Sequence, residues 1–295
     1  SLKKQGFKNE KIAHNIFIYP TNSISRFFYI FDAFCVANIF LKVQSLKFGI
    51  KNFVISAQDP FETGIVGAWL AKKFKISFQI QVHTDFLSPF FVKGDFLNRI
   101  RVFIAKCLLP KADIIRVVSE RISSSLKTKN YKLKTVPVIL PIYVDIEKIK
   151  NTFITVDLRK KYSQFDFIIL MASRLEKEKN IPLALKAFSE VIKKYPKTGL
   201  IIVGSGFLQQ SLKLKVESWK LKTNVIFEPW TNNMIYYYKT AELFLLTSNY
   251  EGYGLSLIEA ILSECPIIST DVGLVGEVIT KQEAGVCPIG NYVCF

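Results

Sequence analysis

The residues in this chain best suited to chemistry lie in the stretch 247–279, TSNYEGYGLSLIEAILSECPIISTDVGLVGEVI. Glu251 stands in a Gly-rich turn beside Gly252 and Gly254, and Glu259 follows within a run that reads as a helix. Ionised carboxylates accept hydrogen bonds from sugar and ribose hydroxyls, while the free N–H groups at a helix start favour phosphate. Glycines next to the first carboxylate let the backbone approach a ligand closely. Amides from Leu255 onward would meet an anion, with the helix dipole adding up to about 1 kcal/mol. Two carboxylates so arranged suit a sugar nucleotide.

Two other loops carry matching chemistry. SRLEKEKN places Arg174 and Lys179 after an expected strand, where two cations can neutralise a diphosphate, Arg bidentately. VGSGF carries Gly204 and Gly206 but not the third glycine of a dinucleotide fingerprint, so it is not read as a nicotinamide site. Its glycines serve either close approach to a ligand or a tight turn before a helix. His83, in QVHTDF, and Ser119 fall on further post-strand loops.

These side chains need elements to position them. Apolar runs predict strands at 15–19, 52–56, 78–82, 114–118, 136–140, 167–172, 199–203, 225–227, 243–247 and 266–269. Helical spacing covers 25–45, 66–74, 96–109, a segment opened by Ser119, 182–194 and 207–221. Such alternation means parallel βαβ units, whose sites form on loops at the strands' C-terminal ends. The polar, lysine-rich stretch 145–164 reads as an interdomain linker. Two Rossmann-like α/β domains, 1–150 and 151–295, are the economical reading of 295 residues.

The charge is unevenly spread. Residues 1–150 hold 24 Lys and Arg against 10 Asp and Glu, giving +14, whereas 151–295 hold 16 against 14, giving +2. A bias towards solubilising lysines should touch both halves, so the asymmetry favours an anionic partner for the first. Arg99, Arg101, Lys106 and Lys111 cluster on one segment there. No nucleic-acid recognition motif accompanies them. The five cysteines show no metal spacing and read as reduced thiols of a cytosolic protein. The run FFYIFDAFCVANIFL at 27–41 contains Asp32 and Asn38 and is shorter than the roughly 20 apolar residues of a membrane span.

Over 52–285 the chain resembles family 4 of the retaining glycosyltransferases, enzymes of the GT-B fold. The resemblance rests on Glu251 and Glu259 as its E-x7-E motif, Arg174 and Lys179 as its R-x4-K pair, and the Gly-rich VGSG. Ala112, Asp113, Val118 and Ser119, then Val144 and Asp145, also match. It implies a hexosyltransferase whose two Rossmann-like domains face each other across a cleft, with acceptor and donor sides in that order. Arg174 and Lys179 would hold the donor diphosphate, Glu251 and His83 would contact the transferred sugar, and Glu259 the ribose. Gly252, Tyr253, Gly254 and Leu255 would line sugar and phosphate. The resemblance implies no metal and no cofactor beyond a nucleoside-diphosphate sugar, and no DxD motif occurs. It further implies a glycan or lipid-linked acceptor and a cytoplasmic enzyme, whose basic first half, with Arg99, Arg101, Lys106 and Lys111, is expected to dock on anionic lipid at the inner membrane face. A non-transferring GT-B protein such as a sugar-nucleotide epimerase is the alternative.

Ser173, Asn180 and Glu264 stand where the family has glycine, as does Pro229 where it often does. A left-handed cap without glycine costs on the order of 1 kcal/mol. The family's first strand with its Gly-rich loop, and its terminal helices, are not found, so both domains are expected to be incomplete and the chain a fragment.

Overall fold

The computed structural model describes residues 10–13, 16–19, 21, 28–49, 53–129, 131–280 and 284–295. The chain divides into two compact units. The first comprises Ser1–His83, Phe96–Val117 and Ser123–Leu140; the second comprises Thr84–Asp95, Val118–Ile122 and Pro141–Phe295. Expected starts at Asn15, Ser25 and Asn52 lie outside the described residues.

The chain opens with an antiparallel pair, β1 (Glu10–Ala13) and β2 (Ile16–Ile18). There follow α1 (Tyr29–Phe48), β3 (Val54–Ala57), α2 (Glu62–Phe74), β4 (Ser77–Val82), α3 (Pro89–Gly94) and α4 (Phe96–Leu108). Then come β5 (Ile114–Val117), α5 (Glu120–Thr128) and β6 (Val138–Ile139). Strands β3-β4-β5-β6 form a parallel sheet in the first unit. Helix α2 begins four residues before its expected start because Asp59 caps it. The Asp59 carboxylate accepts from the N–H groups of Phe61 at 2.8 Å and Thr63 at 3.2 Å.

Arg101 does not join Arg99 and Lys106 at the surface as expected. Its guanidinium meets Glu62 of α2 at 2.7 Å, which raises its pKa and ties α4 to α2. Lys111 lies beyond α4, in a short 3-10 turn, Leu109–Lys111. Among the described residues no helix is long and apolar enough to cross a membrane.

The second unit continues with α6 (Ile146–Asn151), α7 (Leu158–Lys161), β7 (Phe167–Ala172), α8 (Ile181–Lys194), β8 (Thr198–Val203) and α9 (Gln209–Ser218). It ends with β9 (Val225–Glu228), α10 (Met234–Thr240), β10 (Leu243–Leu246), α11 (Leu255–Leu262), β11 (Ile267–Thr270) and β12 (Gly285–Cys287). The six strands are parallel, in the order β12-β11-β10-β7-β8-β9. The expected linker is corrected: it forms α6 and α7, whose Ile149 and Leu158 are buried. Asp145 and Asp157 cap these helices by accepting from Lys148 and Arg159 N–H groups at 3.0 and 2.9 Å. Cys287 is joined to Cys294, so the reading of five reduced thiols is corrected there; Cys35, Cys107 and Cys265 are free.

Period-two alternation divides the core over the two sheet faces. Ile168, Leu170, Ile201 and Val203 pack with Phe244 and Leu257, and Ile169, Met171, Leu200 and Ile202 pack with Phe188 and Leu212. One contact sets a strict size limit. A Cβ on Gly199 would meet the Phe165 ring at 2.2 Å. Gly199→Ala is expected to cost about 1–3 kcal/mol, read as a lower urea midpoint at unchanged slope.

Candidate functional site

In the second sheet β7 has β10 on one side and β8 on the other. The chain leaves β7 for β8 and β9 and returns to the opposite side of β7 for β10. The carboxyl ends of β7 and β10 therefore flank a topological switch point, the place where such sheets bind ligands. Arg174 and Lys179 follow β7, and Glu251 follows β10. Lys179 Nζ lies 2.5 Å from Glu251 Oε1, with the two side chains 14% and 13% exposed. Ser248 donates its hydroxyl to the same oxygen at 2.7 Å. Thr247 Oγ1 donates to the carbonyls of Lys179 and Asn180 at 3.0 and 3.1 Å. The Asn249 N–H donates to Glu178 O at 2.8 Å. The two loops are thus fastened by backbone and side chain together. Arg174, 73% exposed, pairs with Glu178 at 2.8 Å.

Asn180 takes the left-handed conformation, φ 45° and ψ 44°, and so does Glu264, at φ 58°. Gly204 and Gly206 pack against the loop after β7. A Cβ on Gly204 would lie 2.0 Å from Ser173 O, and one on Gly206 would lie 2.6 Å from Leu175 O. In this structure their need for glycine comes from neighbouring protein backbone.

Gly254 precedes α11 with φ 88° and ψ 56°, which releases Leu255 as the first helical residue. Leu257 and Ala260 are buried, whereas Ile258 and Leu262 line an apolar groove. Glu259 is partly buried, and the fully buried Tyr238 donates its hydroxyl to Glu259 Oε2 at 3.1 Å. Burial pushes the Glu259 carboxyl above the usual range, and the Tyr238 hydrogen bond only partly opposes this. Tyr253 O accepts from Leu274 N–H at 3.2 Å. Arg121, in the segment of α5 that belongs to the second unit, holds the turn beneath Tyr253. It donates to Gly273 O at 3.0 Å, Val275 O at 2.7 Å and Asp271 Oδ1 at 2.6 Å. Glu277 accepts from the N–H of Glu120 at 2.9 Å and from that of Arg121.

His83 belongs to the first unit, at the end of β4. Its Nε2 lies 3.2 Å from Gln81 Oε1, which also accepts from Arg116 Nη1 at 2.8 Å. Burial, then the Arg116 charge, lowers its pKa, so the imidazole is neutral at pH 7. Lys179 and Glu251 meet directly, with Arg174 on the same loop as Lys179, while Glu259 is held separately by Tyr238. Sequence reasoning missed Tyr238, Ser248, Arg121 and Glu277. The TSN cluster at the end of a buried strand was a signal for Ser248; the YYY run offered none for Tyr238.

Comparison with known proteins now bears on this geometry. Residues 157–291 match the family described as Glycosyl transferases group 1. The matched segment contains the Lys179–Glu251 pair, Glu259 and Tyr238. Over 250 residues the chain is 26% identical to alpha-monoglucosyldiacylglycerol synthase of Streptococcus pneumoniae, covering 81% of this chain and 56% of that protein. The chain spans about half the length of several curated relatives it matches. It is similar in structure to sucrose-phosphate synthase from Thermosynechococcus elongatus, with a TM-score of 0.75, 20% identity, and 92% and 69% of the two chains covered. Anabaena HepE in complex with UDP gives a TM-score of 0.70 at 17% identity, with 88% and 69% covered. The fold class is α/β of the GT-B type.

Two outcomes are expected in the matched segment. In a double-mutant cycle, Lys179→Met and Glu251→Gln should couple by about 1–3 kcal/mol in urea unfolding, because each single change strands a largely buried partner. Glu259→Gln should raise Tm at pH 7. A folded-state carboxyl pKa above its unfolded value costs stability while the group is ionised, and that cost disappears as pH falls through the folded pKa into the ordinary carboxylate range. The Tm advantage should therefore shrink towards zero at about pH 4.

Proposed function

We propose that this chain carries the donor-binding part of a retaining glycosyltransferase. It moves a hexose from a nucleoside-diphosphate sugar to an acceptor hydroxyl in glycolipid or surface-glycan synthesis. The Lys179–Glu251 pair at the switch point, with the Gly254–Leu255 helix start beside it, supports this reading most directly. Glu251 accepts hydrogen bonds from hydroxyls of the transferred sugar. Lys179 and Arg174 hold the diphosphate and offset the negative charge that develops on the leaving group, so the reaction proceeds without a metal. Amides from Leu255, with Gly252, Tyr253 and Gly254, line the sugar and phosphate, and Gly204 and Gly206 shape the adjoining loop. Glu259, oriented by Tyr238, accepts from the ribose hydroxyls.

The pneumococcal relative is named for a glycolipid product, and the Anabaena structure holds UDP. The first favours a lipid-linked acceptor and the second a uridine nucleotide donor. The enzyme works on the cytoplasmic side, against the membrane face.

A thermal-shift screen against UDP-, GDP- and ADP-sugars tests the reading. One nucleotide should raise Tm in proportion to ligand excess over Kd, and Arg174→Ala should remove most of that shift. Transfer to acceptor should fall by at least about 10²-fold in Glu251→Gln. Absence of any nucleotide-dependent shift, or full transfer by Glu251→Gln, sinks the assignment. Product formation from donor alone would mark an epimerase.

A further inference from the structure

Helix α4 carries an apolar stripe on the side turned away from its unit's core. Phe96, Ile100, Phe103 and Cys107 recur at i, i+4, i+7 and i+11, so they share one face. Phe96 is 70% and Phe103 67% exposed, while Val102, Ala105 and Leu108 fill the buried face. Between α4 and α2 runs a groove of about 630 Å³ lined by Phe103, Ile104 and Cys107 from one helix and Ile65, Trp69 and Lys72 from the other. Trp69 is itself 52% exposed. The helix FLNRIRVFIAKCL contains no acidic residue, and Glu62 of α2 is engaged with Arg101. Arg99 and Lys106 flank the stripe on one side, and Lys72 lies across the groove.

We propose that this face docks on an anionic lipid bilayer. Phe96, Ile100, Phe103 and Trp69 enter the boundary between headgroups and acyl chains, and Arg99, Lys106 and Lys72 meet lipid phosphates. An apolar strip edged by cations is the arrangement that interfacial binding requires. A second copy of the chain fits poorly, because a two-fold pairing of this face would set those cations against their own equivalents. The inference deepens the reading of a transferase serving a membrane-borne acceptor, but the docking stands on the surface alone.

Co-sedimentation with phosphatidylcholine vesicles, with and without about one third phosphatidylglycerol, tests it. The protein should pellet with the anionic vesicles only, and added salt should weaken the binding. Ile100→Ser with Phe103→Ser, both at exposed positions, should weaken binding by about tenfold or more, as should Arg99→Gln with Lys106→Gln. In a Trp219→Phe, Trp230→Phe background, brominated lipid should quench Trp69 emission. Absence of anionic-vesicle binding overturns the proposal, and so does binding unchanged by the Ile100 and Phe103 substitutions. A dimer in sedimentation velocity that those two substitutions dissolve would instead assign the face to self-association. Salt-sensitive retention of a DNA or RNA oligomer, with no vesicle binding, would assign it to nucleic acid. Nucleotide-induced thermal shifts measured on the same variants keep the two readings apart. Vesicle binding without any nucleotide response sinks the transferase assignment and leaves the docking in place.

Discussion

The crossing of the chain at β7 is the constraint on which the second unit depends. A parallel sheet whose path reverses direction must drive a pair of neighbouring loops apart, and here those loops leave β7 and β10. Separation alone would produce a gap with exposed backbone. Instead Thr247, Asn249 and Asn180 stitch the loops together through hydrogen bonds to carbonyls and amides, and Lys179 and Glu251 complete the seam. An ion pair with both members this far from water is costly to assemble unless further hydrogen bonds satisfy it. Ser248 supplies one to Glu251. The pair is therefore held in one arrangement by the loops that carry it.

Backbone geometry follows from the same crowding. Gly204 and Gly206 have no room for a side chain because the loop after β7 lies directly on them. Gly273 is equally confined, with Tyr253 O 2.6 Å from where its Cβ would be. Asn180 and Glu264 also adopt left-handed geometry, without being glycine. Asn is among the least strained residues there, since its short polar side chain bonds locally, and here it reaches Asn249.

The features of this architecture legible in the sequence are those written in local pattern. Continuous apolar runs mark strands buried on both faces, and Ile168 through Ala172 show why: each sheet face is covered, so polar alternation has no place. Two cations after an expected strand marked Arg174 and Lys179, and glycines beside a carboxylate on a post-strand loop marked Glu251. What stayed hidden depends on contacts distant in sequence. Tyr238 reaches Glu259 from another helix, and nothing in MIYYYKT says which tyrosine turns towards it. The stretch 145–164 reads as polar because its two helices are short, each burying a single aliphatic anchor. Asp59 starts α2 early through a side-chain cap, whereas the expected start rested on apolar spacing alone.

Charge shows the same divide between composition and contact. The second half is nearly neutral, and several of its cations are paired: Arg159 meets Glu242, Lys161 meets Glu228, Arg174 meets Glu178 and Lys179 meets Glu251. Glu228 is held by Lys161 and by the Tyr162 and Tyr237 hydroxyls together; burial, then the hydrogen bond and charge of Glu228, pushes the Tyr162 phenol up to about 12 against the opposing Lys161 charge. Net charge near zero thus reflects local pairing that builds the fold. The first half has too few acids for that; Asp113 meets Lys134, and Glu62 meets Arg101, the cation of α4 that turns inward. The positions left outward on α4 alternate cation with aromatic and aliphatic side chains. A solubilising surface would place lysines there without the phenylalanines, and a packing surface would place phenylalanines without the excess charge. Their combination on one helix has a physical rationale only where an apolar medium and an anionic one meet.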